Sequence, residues 1–372
     1  MSFNSNDARF MARALQLARR GWFTTRSNPR VGCVLVNDIN GKLTVIGEGW
    51  HQKAGFAHAE VNAMEHAKAN GHDVNGATAY VTLEPCSHEG KTPPCAKGLI
   101  DAGVSQVICA MTDPNPQVAG RGIQMLRDAG VSVGSGLMEQ EAKELNLGFI
   151  KRMTSGIPRV VAKTAVSVDG RTAMASGESQ WITGPEARAE VQRLRAQSGA
   201  VITGSGTVLF DNPSMNVRDK DLVGDPYFEQ PYRVIIDSKH QVKPDSEIFK
   251  NQGQCWLVSA SKRQETFSAN VTLYQIAAGE DGFVDLRGLL KLLAEEGIND
   301  VLVEAGSELL GAFLQLDLID ELQVFMAPKL LGSAAKPMAK LPFDTMSQAI
   351  NLELQDVRQI GQDLKLTYQR VS

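Results

Sequence analysis

His58, Cys86 and Cys95 are far apart in the chain, and they can act together only in a fold that draws them to one point. One imidazole and two thiols form a ligand set for zinc, and three protein donors leave the fourth tetrahedral position to water. The surrounding residues say where such donors would sit. His58 opens the amphipathic run Val61, Met64, Ala67. Pro85-Cys86 follows a strand-like run at 79–83, and Pro93-Pro94-Cys95 opens a helix-like run at 96–100. Each donor therefore stands at a strand end or a helix start, where α/β sheets bind ligands and helix N-termini favour thiolates.

Glu60 lies two residues beyond His58, placed to act on a zinc-bound water without binding the metal. Zinc deaminases pair H-x-E with a later P-C-x-x-C. His58-Ala59-Glu60 and Pro85-Cys86 fit that pattern, but the second cysteine follows after eight residues rather than two. In such a site the metal lowers the pKa of water. A glutamate whose pKa is raised by burial takes the water proton and passes protons to the ring nitrogen and the departing ammonia. A purely structural zinc would recruit a fourth ligand, for which His51 and His88 are the sequence candidates. His66 and His72 read as solvent-exposed.

A chain of 372 residues suggests about two domains. With 43% hydrophobic and 22% charged residues and a net charge of −4, nothing general points to nucleic acid or an anionic membrane. There is no apolar run of about 20 residues and no signal-peptide pattern. Of the five cysteines two belong to the metal, and Cys33, Cys109 and Cys255 lie in apolar runs as reduced core residues. A cytoplasmic enzyme is expected.

Periodicity predicts helices over 7–20, 58–70, 94–102, 122–129 and 138–153 in the first half. Strands are predicted over 31–36, 43–46, 78–83, 106–111 and 131–133, with a turn at Asn40-Gly41. This alternation implies a mainly parallel sheet with helices on its faces. The expected organisation is a domain over 1–150, a linker over 151–158 and a second α/β domain over 159–372. Strands in the second half are expected over 159–167, 200–203, 232–237, 255–259, 271–276, 301–303, 321–326 and 364–369. Helices are expected over 184–197, 285–296 and 308–317, and a small flexible loop over 204–207.

Asn28, His51, Lys91, Asp113 and Asn115 are polar residues that could line the metal pocket or simply make turns. Gly306-Ser307, between a strand and a helix, suits a phosphate or a plain tight turn. No G-x-G-x-x-G follows a first strand, which disfavours a Rossmann fold. Arg195 and Arg218 are candidates for a substrate phosphate or for solvated arginines. No residue of the second half stands out as an indispensable acid.

The stretches Asn28-Pro29-Arg30-Val31-Gly32, His58-Ala59-Glu60, TLEPCSHEGKTPPC over 82–95, DPNPQVAGRG over 113–122 and DGRTAMASGESQWIT over 169–183 together resemble one family. It is the family of bifunctional riboflavin-biosynthesis deaminase/reductases. The resemblance spans nearly the whole chain and accounts for the eight-residue gap between the cysteines. It implies a cytidine-deaminase-like three-layer domain followed by a dihydrofolate-reductase-like α/β domain, with Zn2+ and NADPH as cofactors. It also implies NADPH contacts at Ala165, Trp181, Thr207, Asp211, Ser238, Gly306, Ser307, Glu308, Leu309, Leu310, Gly311 and Ala312. Substrate contacts are implied at Ser179, Arg195, Met215, Arg218 and Glu304. The expected partners are a phosphorylated pyrimidine and further copies of the chain in a homo-oligomer, with neither nucleic acid nor membrane.

Overall fold

The computed structural model describes residues 2–87, 93–116 and 118–371. The chain divides into two compact units, one ending at Gly156 and the other beginning at Ile157.

The first unit opens with α1 (Ser5–Ala18), started by a reciprocal cap between Asn4 and Asp7. Then follow β1 (Gly32–Ile39), β2 (Lys42–Trp50), α2 (Ala59–Ala69), β3 (Thr78–Val81), α3 (Cys95–Asp101), β4 (Gln106–Cys109), α4 (Arg121–Asp128) and β5 (Ser132–Ser135). The sheet order is β2-β1-β3-β4-β5. β3, β4 and β5 run parallel, while β1 is antiparallel to both β2 and β3. The sheet is therefore mixed rather than mainly parallel. Asn40 and Gly41 both take positive φ and close β1 onto β2 as a two-residue hairpin, which only antiparallel strands can use. Alternate residues of β1 point to opposite faces. Val34 and Val36 pack with α1, and Cys33 and Leu35 pack with α2, α3 and α4. The result is three layers, helix on sheet on helix.

The helix expected over 138–153 is two helices, α5 (Glu139–Leu145) and α6 (Leu147–Ser155). The break falls at Asn146, whose buried side chain holds a distant backbone. It accepts from Arg30 N–H at 2.8 Å and donates to Arg30 C=O at 3.0 Å. α6 then runs through most of the stretch expected to be a linker and stops at Gly156, φ 70°.

The second unit contains β6 (Arg159–Ser167), β7 (Arg171–Ala173), α7 (Pro185–Gln197), β8 (Ala200–Gly204), α8 (Ser205–Asp211) and α9 (Lys220–Val223). After these come β9 (Tyr232–Ile236), β10 (Cys255–Ser259), β11 (Val271–Gln275), α10 (Leu286–Glu295), β12 (Asp300–Val303), α11 (Ser307–Gln315) and β13 (Glu321–Ala327). β14 (Lys336–Pro337), β15 (Leu352–Ile360) and β16 (Asp363–Arg370) complete it. The main sheet has the order β11-β10-β9-β8-β12-β6-β13-β16-β15, and β7 pairs separately with β14. From β11 to β13 the strands are parallel, and β16 and β15 close the sheet antiparallel. Leu289, Leu290, Leu293 and Phe313 from α10 and α11 fill one core, and Ala187, Val191 and Leu194 of α7 another. The loop expected over 204–207 is instead the start of α8. Cys33, Cys109 and Cys255 are buried and unpaired, as expected.

Candidate active sites in the two units

In the first unit the sheet brings the three metal donors together. Cys95 Sγ lies 3.2 Å from His58 Nδ1, and Cys86 Sγ lies 3.6 Å from it. The Cys95 backbone N–H donates to Cys86 Sγ at 3.2 Å. His58 is the residue capping α2, and Cys95 is the first residue of α3. α2 reaches this position because it lies almost on the backbone of β2. A Cβ on Gly49 would fall 2.4 Å from Ala59 O, and one on Gly47 would fall 2.2 Å from Ala63 O. All donor atoms lie within 4.8 Å of one another, and among the described residues no other such group occurs. One nitrogen and two sulfurs at this spacing suit zinc, and no fourth donor joins them among the described residues.

The Cys86 thiol is pulled down to about 4 by its hydrogen bond with Cys95, assisted by His58 and the Cys95 N–H, and opposed by burial. Cys95 is driven up by the same contact and by its own burial. Cys86 is therefore the ready thiolate of the pair, and the contact with it raises the pKa of His58. Glu60 is only 3% exposed, and burial lifts its carboxyl to about 7 against the opposing pull of His58. A carboxyl poised near neutrality can both take and give a proton at working pH.

Asn28 and His51 meet beside this cluster. Asn28 Nδ2 lies 2.9 Å from His51 Nε2, and His51 Nδ1 lies 3.1 Å from Ala57 O. A carbonyl only accepts, so Nδ1 carries the proton and Nε2 accepts from the amide. Burial lowers His51 to about 4, keeping it neutral, and its ring stands edge-on to His58 with centroids 5.3 Å apart. Both ring nitrogens are committed, so His51 is not a fourth ligand. His88 and Lys91 lie outside the described residues. Asn115 sits in a half-buried turn, its N–H donating to Asp113 Oδ1 at 2.8 Å. That turn is tied to the buried carboxylate of Glu84, which sequence reading passed over: it lies just beyond the strand expected over 78–83, in a stretch read for its cysteines.

In the second unit the polar centre is Glu304, just beyond β12. Arg195 from α7 grips it with two bonds, Nε to Oε1 at 2.5 Å and Nη2 to Oε2 at 2.9 Å. Lys163 Nζ of β6 stands 4.0 Å from Oε2, a third member that sequence reasoning missed inside an apolar strand. Burial works against the charge on Glu304, but Arg195 and Lys163 outweigh it and hold the carboxyl below its ordinary value. Burial lowers Lys163, partly offset by Glu304. Arg218 is exposed, bonded through its N–H to Gln192 and through Nη1 to Asn216 Oδ1. The Met215 side chain is buried in the core, so that residue can present only its backbone to a ligand.

The remaining expected contacts lie on several elements of the second unit. α8 and α11 start from the adjacent strands β8 and β12, at Gly204 and Gly306, and neither start has a side-chain cap. A Cβ on Gly306 would meet nothing within 4 Å. Two uncapped helix starts side by side fit the diphosphate of a dinucleotide such as NADPH. Thr207 and Asp211 lie on α8, and Asp211 accepts from Ser179 Oγ at 2.9 Å. Ser238 Oγ accepts from Val284 N–H at 3.0 Å, and Ala165 is half-buried on β6. Trp181 is 61% exposed, with Arg188 stacked 4.6 Å above its ring. Along α11, Leu310 is in the core and a Cβ on Gly311 would fall 2.3 Å from Lys340 O. The turn open to a ligand is therefore 306–309.

Comparison with known proteins agrees with both halves. Residues 4–111 match the family model of the cytidine and deoxycytidylate deaminase zinc-binding region, and residues 158–366 match that of the RibD C-terminal domain. The chain is 48% identical over 368 residues to riboflavin biosynthesis protein RibD of Escherichia coli strain K12, covering 97% of this chain and 98% of that protein. It is 47% identical over 376 residues to the protein of the same name from Haemophilus influenzae, covering 99% and 98%. The solved structure of Acinetobacter baumannii RibD superposes with a TM-score of 0.90 at 45% identity, covering 98% of this chain and 99% of that one. A diaminohydroxyphosphoribosylaminopyrimidine deaminase/5-amino-6-(5-phosphoribosylamino)uracil reductase from Thermotoga maritima superposes with a TM-score of 0.87 at 33% identity, again over 98% and 99%.

Proposed function

The chain belongs to the RibD family of riboflavin biosynthesis proteins, and from that premise we propose how its residues divide the labour of two successive reactions. It is a bifunctional enzyme, a zinc-dependent deaminase joined to an NADPH-dependent reductase. Its first substrate is a diaminopyrimidinone ribosylamine 5′-phosphate, which loses its 2-amino group as ammonia. In the second reaction the sugar ring opens and hydride is added at C1′, leaving a ribityl chain.

His58, Cys86 and Cys95 hold the zinc. When bound, zinc supplies a water that is acidic near neutral pH. Glu60, buried beside these donors, would carry protons between water, the ring nitrogen and the leaving ammonia. Asn28, His51, Lys91 and Asn115 contact the pyrimidine, and neutral His51 offers its ring face to an uncharged base. The observation that carries this reading is the buried Glu60 beside three converging donors, with no fourth donor among the described residues.

In the reductase, NADPH supplies the hydride, and the protein orients and shields the nicotinamide. Ala165, Trp181, Thr207, Asp211, Ser238 and the open turn 306–309 hold the cofactor. Ser179, Arg195, Met215, Arg218 and Glu304 hold the substrate. The hydride acceptor is the ring-opened imine, because a closed ribose has no electrophilic double bond at C1′. With Arg195 keeping it ionised, Glu304 serves as a hydrogen-bond acceptor for the substrate and not as its acid.

The protein acts in the cytoplasm on small molecules, as a homo-oligomer, with neither nucleic acid nor membrane as partner. A net charge of −4 and 6% aromatic residues support this, as does the lack, among the described residues, of a helix long and apolar enough to cross a membrane. Leu352, Leu354 and Val357, exposed on the edge strand β15, support contact with a second copy. The test adds the pyrimidinone phosphate first and NADPH second. Ammonia should appear before NADPH is consumed. Equal ammonia release from cytidine or RNA would overturn the substrate, and NADPH oxidation without prior deamination would overturn the order.

A further inference from the structure

We infer that Glu84 is a positioning residue for the deamination, holding the turn that carries Asp113 and Asn115 in register with the segment that delivers Cys86. The carboxylate is 3% exposed and accepts four backbone N–H groups. Oε2 takes those of Asp113 at 3.1 Å and Gly120 at 2.9 Å, so one oxygen draws the two ends of that turn together. Oε1 takes those of Gly122 at 2.9 Å and Ile123 at 3.2 Å, in the first turn of α4, where the helix favours a negative charge. The backbone of Glu84 is fixed as well, its N–H donating to Met111 C=O at 2.9 Å.

The same residue leads into Pro85-Cys86, and α4 is pressed against that segment. A Cβ on Gly122 would lie 1.9 Å from Pro85 O, so nothing larger than glycine fits between the helix and the segment leading to Cys86. Glu84 thus connects a metal ligand two residues on with the turn bearing Asn115. This rests on the reading of Asn115 as a substrate contact. On that reading Glu84 never touches substrate, and it acts by fixing where Asn115 stands relative to the zinc.

A glutamine has the same shape but only one accepting oxygen, so its NH2 group would confront two N–H donors. In the full-length protein, Glu84→Gln should keep its zinc and its reductase turnover. Its deaminase KM should rise about tenfold, the size of effect expected for one or more buried donors left unmade. The kcat should move less, and amide exchange at Asp113 and Gly120 should quicken.

Asn115→Ala separates the two claims. It should raise KM by itself, and adding Glu84→Gln to it should raise KM little further, since both changes remove the same contact. If Asn115→Ala has no effect, the substrate reading fails and the inference falls with it. If Asn115→Ala raises KM but Glu84→Gln does not, or the two effects multiply in full, Glu84 does not act through Asn115. Should Glu84→Gln lose zinc, Glu84→Asp takes its place in the same cycle. It keeps the charge but is one methylene too short to reach both the turn and α4.

Discussion

On the proposed reading the deaminase unit concentrates its chemistry in four side chains, His58, Glu60, Cys86 and Cys95, all on or next to the starts of α2 and α3. The reductase unit spreads its site over helix starts, strand ends and an ion pair that keeps a carboxylate charged. In the first, a residue type is the signal, because few side chains bind zinc. In the second, much of the work falls to backbone N–H groups, which every residue but proline owns. A site made of rare side chains should fail abruptly when one is changed. A site made of backbone and shape should weaken by degrees.

Cys86→Ser should produce the largest effect. Zinc content and ammonia release should vanish while reduction of the deaminated intermediate continues, and loss of both activities would show the halves to be interdependent. Glu60→Gln should lower deaminase kcat by about 10²–10⁴-fold, the usual share of a positioned proton carrier, with zinc retained by metal analysis. Parallel loss of zinc would make Glu60 part of the metal site instead.

Arg195→Ala strands Glu304 as an unpaired buried carboxylate. It should destabilise the reductase unit by about 3–5 kcal/mol in chemical denaturation and abolish its turnover. An unmoved midpoint would mean the pair matters only for substrate. Gly306→Ala inserts one methyl group into open space at an ordinary φ of −73°. Stability should stay within about 0.5 kcal/mol, while the KM for NADPH rises roughly tenfold by keeping phosphate off the helix start. Arg218→Ala should be mildest, raising KM for the intermediate a few-fold with NADPH affinity unchanged, because an exposed arginine works through solvent-screened attraction.

The same contrast sets what could be read in advance. The meeting of His58, Cys86 and Cys95 and most strands of both sheets follow from spacing and apolar runs. What escaped reading has long-range causes. Asn146 breaks a helix whose local pattern is continuous because it is needed by Arg30, far away in sequence. Lys163 hides in an apolar strand because its partner Glu304 follows a different one, far along the chain. β15 went unseen because most of its residues are exposed and a bulge between Leu354 and Asp356 interrupts its alternation. Glu84 looks like one more residue of the stretch leading to Cys86 until the turn and helix it gathers are placed around it.

Gly47 and Gly49 have no chemistry of their own, yet α2 can rest on β2 only because they lack side chains. A methyl group at either position would act as a shim, prying the helix away and carrying His58 and Glu60 out of reach of the cysteines. Catalysis in this enzyme can therefore be silenced by adding bulk on the far side of a helix, at positions that a survey of reactive groups would pass over.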